Sequence, residues 1–443
     1  MKKIRYIAAF VLCAMSLCAW SQDYARLAER SINGTARYAG MAGAMTAIGG
    51  DPSAVLDNPA GLGLYRRAEV MLTLGASFNG THLAPPYNSN NYFMLPQASL
   101  VFSLPTARTD EKGMQFHNFM FSYQRLHSFR QRYGGVGYDR TSLGYLLSSG
   151  GINLGVPYCS DLLSEADELV LRESGYVDQY SFHWAFNLSN CFYAGLGLQI
   201  QSYQLSSEAE YREYFDAVNA EGTHWSNRNS SSLLLSGAGF NMALGMIYRP
   251  VRWLRLGASL QVPTIGSLHT YTAGTFAAQT DSLRYSDAPN TSGTDRSFHM
   301  PWKLSASVAF QVSAYALFAL QYDYTRANYM PSRHSLRAGF EVIPVMGFYI
   351  NAGYALEGAY KNYSPRVPMD PTFDRQDTYS FYPHMAHYAS LALGWRGTNM
   401  LVQLAYQYSR QSSFLYAHEY TPQYNNDPYN IHRIVLTIGW HQN

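Results

Sequence analysis

Alternation of apolar and polar residues recurs along most of this sequence, and this period of two limits the possible folds more than any other feature. In AEVMLTLGASF, one face of an extended chain carries Val70, Leu72, Leu74, Ala76 and Phe78, and the other face carries small or polar residues. DQYSFHWAFNLS and CFYAGLGLQIQSY repeat the pattern. Successive side chains of a strand point to opposite faces, so these segments are predicted strands with one apolar face.

The polar faces of these predicted strands are small and amide-rich, which favours a wet or loosely filled interior. Fourteen segments show the pattern, and each has about the length that crosses a bilayer when tilted. An even number is expected of a bacterial single-chain barrel. The predicted strands are 68–78, 92–104, 114–125, 176–188, 190–203, 233–249, 251–263, 300–312, 314–326, 334–344, 347–358, 386–396, 399–409 and 430–440.

The links between these strands alternate in length. Those at 189, 250 and 313 are very short, whereas their neighbours, such as 126–175 and 264–299, are long and polar. Short periplasmic turns and long outer loops are typical of outer-membrane barrels, so both termini are predicted on the periplasmic side. A soluble β-sandwich would also alternate, but it does not account for an apolar face on nearly every strand or for the turn asymmetry.

The composition agrees with a barrel. Apolar residues make up 47% and aromatic residues 15%, with 37 tyrosines, yet only 14% of residues are charged. A soluble domain has roughly 25% charged residues, and a helical membrane protein needs long apolar runs. The net charge of +2, without basic runs, gives no argument for nucleic acid binding. We expect a monomer in the bacterial outer membrane, in contact with outer-membrane lipids.

The N-terminus has the pattern of a secretory signal peptide. Lys2, Lys3 and Arg5 precede a short apolar run, and Ala19-Trp20-Ser21 predicts cleavage after Ser21. We therefore divide the chain into a signal peptide (1–21), an N-terminal plug (22–67) and a transmembrane barrel (68–443). Cys159 and Cys191 then remain, and a disulfide and two free thiols are both open.

The segment 22–67 is predicted to fill the barrel, because fourteen strands enclose a lumen that would otherwise leak. Its run of small residues, SINGTARYAGMAGAMTAIGG, allows close backbone packing and one or two short helical turns. Asp51-Pro52 predicts a turn or helix start, and Pro59 disfavours the α conformation at Asn58.

The sequence DPSAVLDNPAGL, between this run and the first strand, resembles the N-terminal hatch of the FadL/OMPP1/TodX family. The resemblance implies a fourteen-stranded antiparallel transmembrane barrel with a hatch in the lumen and a lateral gap in its wall. It also implies passive transport of long-chain fatty acids or other hydrophobic, including aromatic, compounds. The matching residues are Asn58, Pro59 and Ala60, flanked by Asp51, Ser53, Ala54, Gly61 and Leu62.

From this resemblance, hatch or gating roles are predicted for Asn58, Pro59, Ala60, Asp51 and Gly61. In this hypothesis Asn58 caps backbone groups and Pro59 stiffens a hinge. The alternative is that NPA forms only a structural turn. A second functional hypothesis is a barrel that binds proteins in a secretion or surface-attachment system, such as the type IX system of Bacteroidetes-like bacteria.

A second candidate site lies in the loop 126–175. Its residues Leu162, Leu163, Ala166, Leu169 and Val170 follow a helical spacing, which predicts a loop helix with an apolar stripe. Such a stripe would capture a hydrophobic ligand or pack against a neighbouring loop.

The remaining motifs predict no chemistry. No serine-nucleophile motif is present, so we expect no enzymatic activity. His384 and His387 have no cysteine or acidic partner at a spacing suitable for a metal ion. We therefore expect no metal site and no cofactor. The last strand ends in IVLTIGWHQN, and its aromatic Trp440 resembles the signal recognised by the outer-membrane assembly machinery.

Overall fold

The fold was obtained as a computed structural model. It describes residues 27–80, 91–106, 113–137, 166–215, 225–280, 284–286, 290–327, 330–358, 379–381, 385–412, 414–416 and 428–442. The predicted signal peptide, Cys159 and His384 lie outside these ranges. Among the described residues, no helix is long and apolar enough to cross a membrane.

The described chain consists of a short N-terminal segment with helical turns, followed by strands. The helices are α1 (Ala36–Gly40), α2 (Pro52–Asp57) and a 3-10 helix (Pro59–Leu64). The first ten strands are β1 (Glu69–Gly80), β2 (Tyr92–Pro105), β3 (Met114–Ser128), β4 (Gln131–Gly137), β5 (Ala166–Leu188), β6 (Phe192–Phe215), β7 (Trp225–Val251), β8 (Leu254–Gln261), β9 (Ile265–Thr280) and β10 (Arg284–Ser286). The others are β11 (Asn290–His299), β12 (Trp302–Ser313), β13 (Ala316–Ala327), β14 (Met330–Val345), β15 (Phe348–Glu357), β16 (Tyr379–Phe381), β17 (Ala386–Arg396), β18 (Met400–Ser412), β19 (Phe414–Tyr416) and β20 (Pro428–His441).

Eighteen of the described strands form one closed antiparallel sheet, and β16 pairs separately with β19. The sheet closes because β1 pairs with β2 on one side and with β20 on the other. At three places, strands that are separate along the chain lie end to end and together occupy one position in the ring. β3 and β4 both pair with β5, and β8 and β9 both pair with β7. β10, β11 and β12 lie one after another along β9 and β8. The ring therefore has fourteen positions, as predicted.

The two faces of the sheet differ as the alternation predicts. In β1, Leu72 and Leu74 are about half exposed, whereas Met71, Thr73 and Ser77 are buried toward the interior. The other strands carry a comparable outward row of Leu, Ile, Val, Phe and Tyr. In water such a surface would be costly to hydrate, so the barrel has the lipid-facing band of a membrane-spanning protein.

Three of the predicted loops contain long strand extensions, which the sequence reading missed. β5, β6 and β7 have 23, 24 and 27 residues, about twice the length needed to cross a membrane. Most of the predicted loop 264–299 forms β9 and β11. Outside the hydrocarbon region, the outer face of a strand need not be apolar. Charged residues such as Arg172, Glu208 and Arg228 therefore lie on the outer face of these extensions. The alternation of apolar and polar residues that marks the membrane-spanning strands is lost there.

The described part of the N-terminal segment, residues 27–67, is almost entirely buried against inward-facing side chains of the sheet. Its partners come from widely separated strands. Ala36 N donates to Thr437 Oγ1 of β20 at 2.8 Å, and Thr46 N donates to Gln321 Oε1 of β13 at 3.1 Å. On the other side of the ring, Asn118 Nδ2 of β3 donates to Leu62 O at 2.7 Å.

Candidate functional site

Asn58, Pro59 and Ala60 form a compact turn between α2 and the 3-10 helix. Asn58 has extended dihedral angles (φ −137°, ψ 101°), as expected of a residue before proline. Its Oδ1 accepts from Ala60 N at 3.1 Å, and its Nδ2 donates to Thr46 O at 2.8 Å and Met246 O at 3.2 Å. The asparagine thus caps the 3-10 helix and also connects the turn to strand β7; its gating role stays a prediction.

Asp51 begins helix α2 as its N-cap residue, with Pro52 in the first turn. Its Oδ1 accepts from Ser53 N at 2.9 Å and its Oδ2 accepts from Thr35 Oγ1 at 2.7 Å. Burial raises the pKa of this carboxyl, and the nearby Arg37 and these donors oppose the rise. The predicted helix start is confirmed, and the carboxylate also joins α2 to the start of α1.

Glycine pairs in the wall provide the space for this segment. Gly195 of β6 lies opposite Gly245 of β7, and a Cβ atom on Gly195 would lie 2.5 Å from Pro59 C and O. Gly339 and Gly353 form a second pair, where a Cβ on Gly353 would lie 2.4 Å from Met41 C. The small inward residues were expected to leave the lumen loosely filled. Instead, they allow the backbone of the segment to contact the backbone of the wall.

Buried ion pairs connect the segment to the wall, and sequence reasoning missed them. Asp57 at the end of α2 accepts from Lys303 Nζ of β12 at 2.9 Å and from Tyr38 Oη at 2.5 Å. Arg337 of β14 lies 3.0 Å from Glu357 Oε1 and 3.9 Å from Asp57 Oδ2. Burial would raise the pKa of Asp57, but Lys303 and Arg337 prevail and lower it to about 2. The carboxylate is therefore ionised at neutral pH.

A second ion pair attaches α1 to the wall. Arg37 Nε and Nη2 donate to the two carboxylate oxygens of Glu341 at 2.6 and 2.9 Å. This bidentate geometry is the strongest that an arginine makes with a carboxylate. These contacts involve residues 304 apart in the chain, and for that reason a single sequence gives no signal for them.

Above the ion pairs, on the side of the long loops, the interior is apolar. We call this group of buried residues the apolar chamber; it comprises Leu27, Leu126, Phe129, Val177, Tyr203, Leu205, Leu233, Leu235, Leu268, Phe298 and Met300. Leu27 belongs to the N-terminal segment, and the others belong to β3, β5, β6, β7, β9, β11 or the links beside them. A buried apolar surface of this kind favours contact with an apolar molecule over a polar one.

A small cavity lies between the apolar chamber and the ion pairs. It measures about 50 Å³ and is lined by Leu27, Tyr203 and Met300 on one side and by Lys303 and Arg337 on the other. This space holds a few water molecules at most. A hydrophobic ligand therefore requires Leu27 and the residues next to it to move.

The wall is interrupted beside the apolar chamber. β2 pairs with β3 from Pro105↔Phe116 to Gln97↔Gln124; residues 92–94 pair with β1, and none of residues 92–96 pairs with β3. Pro96, at the end of the ladder, has no N–H to donate. On β3, Leu126 O accepts instead from Ser31 N at 2.9 Å, and Arg125 O accepts from Asn33 Nδ2 at 3.1 Å. The N-terminal segment thus takes up bonds that β2 does not make.

The predicted loop helix is wrong where the structure describes it. Ala166, Leu169 and Val170 lie in strand β5 and pair with β6, while Leu162 and Leu163 lie outside the described residues. The helical spacing was misleading because Val170 and Leu171 point to opposite faces of a strand, so that the chain is apolar on both. The capture role itself stays a prediction.

The described histidines and acidic residues form no group of three or more that would hold a metal ion. His387 instead pairs with Tyr354 on the outer surface. Cys191 forms no disulfide with any described residue. Cys159 lies outside the described residues, so a Cys159–Cys191 disulfide and two free thiols both stay open.

The fold defines a class of protein, a fourteen-stranded outer-membrane barrel, in which the described residues 27–67 lie buried against inward-facing side chains. Comparison with protein-family models and with curated proteins gives no match. Comparison with solved structures gives matches over most of the chain. A Pseudomonas aeruginosa FadL homologue is 13% identical with a TM-score of 0.57, over 93% of this chain and 98% of that chain.

Two further solved structures have the same fold. The CymD monoaromatic hydrocarbon channel is 12% identical with a TM-score of 0.52, covering 93% of this chain and 98% of that chain. The Pseudomonas putida toluene transporter TodX is 13% identical with a TM-score of 0.51, covering 93% and 99%. The FadL-type fold implied by the hatch motif is confirmed; at these identities the likeness concerns the fold alone.

Proposed function

We propose that this protein is a passive outer-membrane channel for hydrophobic small molecules of the long-chain fatty acid or aromatic class. The observation that carries the proposal is the apolar chamber beside an interruption in the barrel wall. A hydrophobic molecule gains little by crossing a polar lumen, but it gains from each apolar surface that replaces water. The chamber offers that surface, and two of the similar structures are by name a monoaromatic hydrocarbon channel and a toluene transporter.

The proposed route is from the outer loops to the apolar chamber and then sideways between β2 and β3. Phe93, on the β2 side of the interruption, is 87% exposed, so this edge presents an apolar face to lipid. The ligand would leave the chamber without crossing the ion pairs below it. The segment 27–67 would act as the hatch, moving at Leu27 and staying attached at Asp57.

Uptake of radiolabelled oleate and of toluene, in cells that lack their own transporter, tests this function. Leu205, a fully buried member of the chamber, is changed to asparagine, and the matched control is Gln204→Asn, one residue away on the outward face. An unpaired amide in an apolar site is unfavourable by about 1–3 kcal/mol, so uptake should fall about tenfold or more in Leu205→Asn and stay unchanged in the control.

Surface expression is matched by antibody labelling before uptake is compared. Equal uptake by Leu205→Asn and the wild type would refute the chamber as the ligand site. Equal uptake by cells with and without the protein would refute the transport function. The secretion-partner alternative is not favoured, since two of the similar structures are by name a hydrocarbon channel and a toluene transporter.

A further inference from the structure

Three tyrosine–histidine pairs lie in a row on the outer surface of the barrel. In each, a tyrosine Oη lies within hydrogen-bond distance of a histidine Nδ1 on the neighbouring strand. The pairs are Tyr322–His334 at 2.6 Å, Tyr354–His387 at 2.7 Å and Tyr406–His432 at 2.7 Å. They occupy three consecutive strand pairs, β13–β14, β15–β17 and β18–β20.

The register of the three pairs is the same. Each histidine lies directly opposite the residue two positions beyond its tyrosine, namely Tyr324, Leu356 and Tyr408. A single exposed histidine would need no explanation. The repetition places three imidazole rings at one height around about half of the described wall, next to the ends of the long loops.

The charge on this part of the wall is one-sided. Arg326 and Arg410 are also exposed on the outer face, and Arg410 lies opposite His387 in the ladder. The described acidic residues of β13 to β20 point inward, where they pair with other groups: Asp323 with Arg337, Glu341 with Arg37 and Glu357 with Arg337. The outer face of these described strands therefore carries basic residues and no carboxylate.

The height of the row matches the edge of the hydrocarbon region. Eight residues separate His387 from Trp395 and His432 from Trp440, and both tryptophans lie near the short-turn end. Eight residues span about 27 Å along a strand, which corresponds to about 20 Å of height at the usual tilt, close to the roughly 25 Å apolar band of such barrels. The histidines thus lie where lipid headgroups begin.

Each imidazole also has a free ring nitrogen for a ligand. A tyrosine hydroxyl that donates to Nδ1 fixes the imidazole proton on Nε2. The tyrosine holds the ring in place in either tautomer; with the hydroxyl as donor, the Nε2–H of the ring is available to an acceptor in the headgroup layer. Together with the two guanidinium groups, the row offers donors and positive charge to an anion at the membrane surface.

We propose that Arg326, His334, His387, Arg410 and His432 form a binding site for the phosphate groups of the outer-leaflet glycolipid, lipopolysaccharide. Phosphate accepts charge-assisted hydrogen bonds from the two arginines and further hydrogen bonds from the Nε2–H groups of the histidines, and the absence of outward carboxylates in the described part of this wall removes the repulsion that an anion would meet. The site anchors lipid along β13 to β20, and β1 separates the last of these strands from β2.

The test is calorimetric titration of the detergent-solubilised protein with bisphosphorylated lipid A. The variant changes His334, His387, His432 and Arg410 to glutamine, which preserves polarity and size better than alanine. The matched control is Arg396→Gln, an exposed arginine at the opposite end of the same wall. Circular dichroism verifies that all proteins have the same strand content.

We expect the fourfold variant to bind lipid A at least about tenfold more weakly than the wild type, since one charge-assisted hydrogen bond alone contributes about that factor. The control should bind normally, and Arg410→Lys, which keeps the charge, should also bind. Equal affinity of the wild type for dephosphorylated and phosphorylated lipid A would overturn the proposal, as would unchanged affinity in the folded fourfold variant.

Discussion

The contact between Gly195 and the Asn58-Pro59-Ala60 turn gives the sharpest prediction. In Gly195→Ala, the new Cβ would lie 2.5 Å from Pro59 C and O and 2.8 Å from Ala60 N. An ordinary contact needs 3.4 Å or more, so the turn must move by about 1 Å. These neighbours are backbone atoms, which no side-chain rotation relieves. Alanine itself is tolerated in a strand at least as well as glycine, so the wall should stay intact.

The free-energy cost of Gly195→Ala can be estimated from the overpacking and from the hydrogen bond that the displaced turn loses. Overpacking costs about 1–3 kcal/mol. A displacement of about 1 Å would also lengthen the 2.8 Å bond from Asn58 Nδ2 to Thr46 O beyond hydrogen-bond range, at about 1 kcal/mol for each bond lost. The total of roughly 2–4 kcal/mol raises the undocked fraction of the segment by about 30-fold to several hundred-fold.

Planar-bilayer recording measures this fraction as the frequency of open-channel events. Gly195→Ala should open at least tenfold more often than the wild type. Gly293→Ala is the matched control, because a Cβ there meets nothing within 4 Å. If Gly195→Ala, inserted and folded, is as insulating as the wild type, then the contact with the turn does not keep the segment docked, and the reasoning fails.

Further predictions concern the other attachments of the segment. Gly353→Ala, whose Cβ would lie 2.4 Å from Met41 C, should raise the opening frequency independently of Gly195→Ala. Asn58→Ala removes bonds to Thr46 O and Met246 O and should likewise raise the opening frequency; an opening frequency and an oleate uptake equal to those of the wild type, at equal surface expression, would leave NPA as a structural turn. Because the pKa of Asp57 is held at about 2, its ion pair is complete above its unfolded pKa near 4 and weakens as pH falls toward 2. Opening should therefore be constant from about pH 8 to 5 and rise below about pH 4; Asp57→Asn should reduce this rise, and the part that stays belongs to the Arg37–Glu341 pair, which also weakens when its carboxylate is protonated.

Much of the barrel could be predicted from the sequence, because lipid imposes one rule on every strand. Leu72 and Leu74 must face outward, and Thr73 between them must face inward, so the period of two marks the strand. The helix start at Asp51 and the extended conformation of Asn58 were predictable as well. Both residues precede a proline, and both effects depend only on neighbouring residues in the chain. Local chemistry is visible in a single sequence.

The rest could not be predicted because it depends on distant residues. Lys303 and Asp57 are 246 positions apart, and neither position is unusual in its own neighbourhood. The apolar chamber was missed for a different reason. Leu205 and Leu235 are inward residues of strands that extend beyond the hydrocarbon region, where the rule of a polar inner face does not hold.

The attachments of the N-terminal segment differ along its length, and this difference bears on how a hatch could work. Residues 31 to 33 bond to Leu126 O and Arg125 O, on the edge of β3 that β2 leaves free. Leu27, four residues earlier, lies in the apolar chamber, whereas Arg37 and Asp57 are held by buried ion pairs. Breaking a buried ion pair exposes an uncompensated charge and is far more unfavourable than breaking hydrogen bonds to carbonyls. A ligand that displaces Leu27 would therefore release the segment from β3 first and leave it anchored at Arg37 and Asp57.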